Sequence, residues 1–220
     1  MFDFPSSAKL GRKIPKTAFY ERYRSSGLTG VAFPAGLKEQ LQTAVDQIVL
    51  EYDLQECSTT LRAGKVNEIM VMTISFRHPP KNEKLVEFLL RNNPHKILCV
   101  VQSPGNNIAA ALMVEGNFYS AAYQGQTFHI SGQTLDQVWE SLVEQVLFVG
   151  EPASNEPLPQ RLQRRDRCLR LKAQIEKLEK KKAREVQPAK KNDLHHQLLP
   201  LREELRRLTE STTNIQENDQ

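Results

Sequence analysis

The chain has 220 residues, enough for one ordinary domain and an extension. Its net charge of +4 is unevenly placed: residues 1–150 carry fourteen Lys/Arg and fourteen acids, so the whole excess lies beyond them. All fifteen aromatic residues precede residue 150, and no apolar run approaches the roughly twenty residues of a membrane span. This excludes a helical membrane protein and places the core in the N-terminal part. Cys57, Cys99 and Cys168 are scattered and odd in number, which argues against a disulfide framework or a cysteine metal site. With an N-terminus that lacks the charged and apolar regions of a signal peptide, these free thiols predict a cytoplasmic protein.

In chain order, Lys9, Arg12, Lys13 and Lys16, punctuated by Gly11 and Pro15, predict a basic extended arm, and Thr17–Tyr23 a short helix. Basic residues interleaved with aromatics suit nucleic acid; an arm strapped across the domain by Phe19, Tyr20 and Tyr23 suits the same residues. Pro34-Ala35-Gly36 opens a helix. Ile48–Leu54 and Thr59–Arg62 read as strands, and the apolar run Glu68–Phe76 as a central strand covered on both faces. Asn82 caps a helix through Leu90, and Lys96–Gln102 is another buried strand, so the region reads strand–helix–strand with a parallel crossover. Short strands at Ala109–Val114, Phe118–Tyr123 and Thr127–Ile130 are joined by Gly-centred turns. Thr134 and Gln137 form a capping box before an amphipathic helix through Leu147.

The expected fold is therefore α/β or α+β, a mixed β-sheet with packed helices over residues 1–150. Pro152, Pro157 and Pro159 mark a linker at 151–160. A C-terminal helical hairpin or coiled coil follows at 161–209, and 210–220 is a polar, disordered tail. Cys168, Leu171, Ile175 and Leu178 form one helical seam, and Leu194, Leu198, Leu201, Leu205 and Leu208 a second. Gln187-Pro188 separates them, Asn192-Asp193 is the expected cap of the second helix, and Pro200 either kinks or starts it.

The segment 161–191 carries thirteen Lys/Arg against four acids. Arg164, Arg165, Arg167, Lys172, Lys180, Lys181, Lys182 and Arg184, with Lys190 and Lys191, make it a candidate phosphate-binding surface, together with Lys9, Arg12, Lys13 and Lys16. An acidic protein partner would meet the same charges. Catalytic motifs are missing. A metal-dependent nuclease needs an acid two positions before a lysine on a core strand, and no lysine in residues 1–150 has one. Glu51, Asp53, Glu56 and Glu68 are the acids a divergent nuclease would use. No phosphate loop occurs, Cys57 and Cys99 have no evident base, and the histidines are isolated or, at His195-His196, diverge on a helix. No catalytic residue, cofactor or metal is therefore expected.

The run Arg12–Glu21 and the stretch Glu179–Asn192 resemble the terminal signatures of the prokaryotic domain-of-unknown-function family 4391, and the order of elements between them is similar. Pro188 and Pro200 depart from the continuous helix of that pattern. The resemblance implies no activity, because the family has none assigned. It does imply a neighbourhood, since the genes lie beside helicases and DNA methyltransferases of restriction-like and anti-phage defence loci. The sequence thus leads to a non-catalytic accessory subunit that binds DNA, RNA and/or a helicase or methyltransferase partner. A divergent metal-dependent nuclease and a purely structural scaffold, homodimeric through its C-terminal helices, are the alternatives.

Overall fold

The computed structural model describes residues 2–19, 33–105, 107–151 and 156–210. It separates into two compact units, Met1–Pro152 and Ala153–Gln220. In the first, a six-stranded sheet runs in the order β2 (Lys9–Lys13), β3 (Val45–Gln55), β4 (Glu68–Phe76), β5 (Lys96–Ser103), β6 (Asn107–Val114), β7 (Asn117–Ala122). All neighbours are antiparallel except β4 and β5, which are parallel and joined through helix α2 (Lys84–Arg91). That is the crossover expected from the sequence, and the mixed α/β class is the one observed. A two-residue parallel pair, β1 (Phe2–Asp3) with β8 (Phe128–His129), stands outside the sheet.

Strand β4 is apolar at consecutive positions because both faces are covered. Met72, Ile74 and Phe76 share a cluster with Leu41 and Val45, with Leu85, Val86, Leu89 and Leu90 of α2, and with Ile97 and Cys99. Helix α1 (Ala35–Thr43) supplies Leu41. Ile69 and Val71, of opposite parity, are fully buried on the other face, and helix α3 (Leu135–Leu147) contacts β4, β6 and β7. Thr134 caps α3 by accepting from the Gln137 N–H at 3.3 Å, but the Gln137 side chain accepts from the N–H of Gln133 rather than closing the box on Thr134. Glu115 and Gly116 both take positive φ, 48° and 78°, and make the two-residue turn between β6 and β7.

Two local expectations change. Lys9–Lys13 is an edge strand paired with β3, Lys9 opposite Tyr52 and Lys13 opposite Val49, rather than an extended arm. Thr59–Arg62 is irregular, with one bridge from Arg62 to Thr134; the hydroxyls of Ser58 and Thr59 donate back to the carbonyls of Asp53 and Gln55, both at 2.7 Å, and draw the backbone into a turn. Residues 16–19 are helical, while the rest of the helix expected at Thr17–Tyr23 lies outside the described residues, as does the tail beyond residue 210.

The second unit is a helical hairpin, α4 (Leu158–Arg184) and α5 (Pro188–Glu210). Helix α4 begins inside the proline-rich stretch, with Pro159 in its first turn, where the missing N–H is not needed. Helix α5 likewise starts on Pro188, ahead of the expected cap at Asn192-Asp193, and continues through Pro200. Between them the Glu185 carboxylate accepts from the N–H groups of Val186 (3.0 Å) and Gln187 (2.9 Å), which stabilises the reversal. Leu171 and Ile175 are buried with Leu194 and Leu198 in the seam. Arg167 pairs with Glu204, Lys182 meets His195 and Glu179 pairs with Arg202, so contacts move up α4 as they move down α5. The helices are antiparallel and bury the middle of the seam within one chain.

Candidate nucleic-acid surface and a carboxylate cluster

Within each unit, the basic residues singled out in the sequence differ in exposure and in partners. Arg164 pairs with Glu156, Arg167 with Glu204 at 2.6 Å, and Lys180 with Glu176 one turn away. Arg164 and Arg165 are half-buried, and Lys182, also half-buried, faces Nδ1 of His195 at 3.2 Å. Lys172, Lys181, Arg184, Lys190 and Lys191 are exposed. In the first unit Lys9, Arg12 and Lys13 are exposed on the edge strand. Lys16 turns inward, its ammonium donating to the carbonyls of Val45 and, at 3.3 Å, Gln42. Burial there, and then the charge of Arg77, lower its pKa. It braces the start of β3 through these two bonds.

A different face of α4 emerges from the helical spacing. Gln163, Arg167, Arg170, Gln174, Lys177, Lys181 and Arg184 follow one another at alternating intervals of four and three, and all seven are exposed. None of the seven residues of this stripe is acidic or apolar, and they extend about 32 Å; Asp166 stands beside Gln163 and Arg170, at helical spacings of three and four. The seam residues Leu171, Ile175 and Leu178 lie on another side of the helix. Toward its C-terminal end, Lys177, Lys181 and Arg184 line a shallow hollow with Ala173, Glu176, Lys180 and Glu185. The two acids there are engaged, Glu176 by Lys180 and Glu185 by backbone N–H groups, and both carboxyls are held below their ordinary pKa by those bonds. The negative end of the α4 dipole also favours cations at Lys181 and Arg184. The candidates named from the sequence omit Arg170 and Lys177, because a count of charges takes no account of which helix face each residue occupies.

The first unit holds a polar cluster on β3, β4 and the start of β5. Register puts Gln55 opposite Glu68, Asp53 opposite Met70 and Met70 beside Ile97, so the side chains of Asp53, Gln55, Glu68 and His95 fall on one face. The Gln55 amide donates to Asp53 Oδ2 and to Glu68 Oε1, both at 2.9 Å, and His95 Nδ1 pairs with Glu68 Oε2. Cys57 Sγ donates to Gln55 Oε1 at 3.4 Å. Burial, followed by the hydrogen bond and charge of Glu68, pushes the Asp53 carboxyl up to about 6, against the opposing effects of Gln55 and His95. Its Oδ1 is buried without a hydrogen-bond partner among the described residues.

Of the four acids proposed for a divergent nuclease, the fold thus brings Asp53 and Glu68 together. Glu51 falls at the register shift between Leu50 and Tyr52, and Glu56 is exposed in the turn after β3. Among the described residues no three His, Cys, Asp or Glu side chains are grouped to hold a metal ion. His95 read as isolated in the sequence; only the parallel pairing of β4 and β5 places it beside Glu68. The Cys99 thiol is fully buried, and burial raises its pKa far above the thiolate range. No helix among the described residues is long and apolar enough to cross a membrane.

Comparison with known proteins gives one likeness. A family model described as Domain of unknown function (DUF4391) matches residues 2–205, spanning the sheet unit and most of the hairpin. No curated protein and no solved structure matches the chain.

Proposed function

The chain belongs to the DUF4391 family, whose description names no activity, and on that premise we propose that it is a non-catalytic accessory subunit of a prokaryotic restriction-like or anti-phage defence complex. In this reading the helical hairpin holds nucleic acid and the sheet unit docks on a helicase or DNA methyltransferase. The observation that carries it is the row of exposed Lys, Arg and Gln side chains on α4. An excess of nine positive charges over residues 161–191 exceeds what solubility requires, and the structure leaves Arg170, Lys177, Lys181 and Arg184 exposed with no ion pair among the described residues.

A dimeric scaffold is less well supported. Four of the nine seam residues, Leu171, Ile175, Leu194 and Leu198, are buried in a hairpin within one chain, the other five are half-buried, and Leu169 and Leu199 are each 48% exposed. The test is an anisotropy titration of the full chain against labelled DNA and RNA at 50 and 200 mM salt. Neutralising four phosphates predicts a loss of about a hundredfold in affinity between those conditions. Failure to retain any nucleic acid at the lower salt would sink the reading and assign the charge to an acidic protein partner.

A further inference from the structure

The form of nucleic acid follows from what the stripe has and what it lacks. A single strand is held by a basic groove together with aromatic side chains on which successive bases stack. Residues 153–220 contain no Phe, Tyr or Trp. Their basic surface is one face of an α-helix clamped to its neighbour by the pairs Arg167–Glu204 and Arg202–Glu179. Cations on such a face are spaced by the helix itself. From Arg170 to Arg184 they extend about 21 Å along the axis. An unpaired strand would have to straighten against this rod and receive no stacking in return. A double helix already presents its phosphates in a fixed array, about one charge per 1.7 Å of axis.

We propose that the stripe Arg170, Lys177, Lys181 and Arg184 of α4 is a docking surface for the phosphate backbone of a double helix, read without regard to base sequence. This rests on the nucleic-acid reading above and narrows it. The side chains that touch the duplex are Lys and Arg, with Gln163 and Gln174 as neutral donors on the same face, and they form charge-assisted hydrogen bonds to phosphate oxygens.

The full-length protein and the quadruple variant Arg170→Gln, Lys177→Gln, Lys181→Gln, Arg184→Gln are titrated against a 24-base-pair DNA duplex, a second duplex of unrelated sequence, the matching RNA duplex and each DNA strand alone. Circular dichroism checks that the variant keeps its helices; single Gln substitutions at Lys177 and Arg184 take its place if it does not. The expected result is a duplex affinity at least tenfold above that of either strand and equal within twofold for the two DNA sequences. The log–log salt slope should be about −3.6 and collapse in the quadruple variant, or fall by about 0.9 in each single one. An RNA duplex bound as tightly as DNA supports the backbone reading and shows that either helix supplies the phosphates. Single strands bound as tightly as duplex, a tenfold preference between the DNA sequences, or an unchanged slope in the variants would overturn the inference while leaving the nucleic-acid reading intact. Binding to none of the probes would remove both.

Discussion

Replacing Asp53 by Asn imitates the protonated carboxyl that its surroundings favour. The introduced amide would donate toward Glu68 and its carbonyl would still accept from Gln55. Because the folded pKa of Asp53 is raised from 3.8 to about 6, the native state holds a proton that the unfolded chain releases earlier. The stabilisation is present below about pH 4 and is lost as pH rises through about 6. One pKa unit corresponds to about 1.4 kcal/mol. Solvent beside a half-buried carboxyl screens part of that, leaving on the order of 1–2 kcal/mol. Asp53→Asn should therefore raise the melting temperature at pH 7.5 and flatten its pH dependence between 4 and 6.5. Equal pH profiles for the two proteins would show that the cluster does not hold this proton. Gly64 makes a second prediction at the same scale. A Cβ there would lie 2.0 Å from Asp136 Oδ2, on a carboxylate whose Oδ1 accepts from the N–H groups of Lys65 (3.1 Å) and Val66 (3.3 Å). Gly64→Ala should cost about 1–3 kcal/mol by displacing it, and in an Asp136→Ala background, where those bonds are already gone, the same substitution should cost much less.

At the scale of elements, the hairpin depends on a short seam. Leu171 is fully buried, so Leu171→Ala should destabilise the second unit by about 2–5 kcal/mol, read as a lower urea midpoint for helical ellipticity. Pro200 acts in the opposite sense. It lies inside α5, where it removes the hydrogen bond that its N–H would give to the carbonyl of residue 196 and crowds that turn. Pro200→Ala should raise the same midpoint, by up to about 3 kcal/mol, with little change in helix content. A drop in stability would mean that the proline ring itself contributes to the packing of Leu198 and Leu201. The stripe is separate from this seam, so neutralising it should leave that midpoint nearly unchanged.

For the whole molecule, the amino-acid sequence alone was enough to assign the class and the division into a sheet unit and a helical hairpin. Continuous apolar runs at Glu68–Phe76 and Lys96–Ser103 with an amphipathic helix between them announce a parallel crossover, because a strand covered on both faces loses its alternation. Heptad leucines and the break at Gln187-Pro188 announce two consecutive helices, and the terminal motifs the family, whose match covers residues 2–205. These are signals carried by near neighbours in the chain. Tertiary structure decided what no local pattern contains. Edge pairing with β3 turned Lys9–Lys13 from an arm into a strand, and hydrogen bonds to the carbonyls of Gln42 and Val45 held Lys16 at the start of β3. Parallel register brought His95 to Glu68, and the antiparallel hairpin gave Arg167 and Glu179 partners thirty-seven and twenty-three residues away. A count of lysines and arginines measures how much charge a segment carries; which of those charges remain available to a ligand depends on residues distant in sequence that folding alone brings within 4 Å.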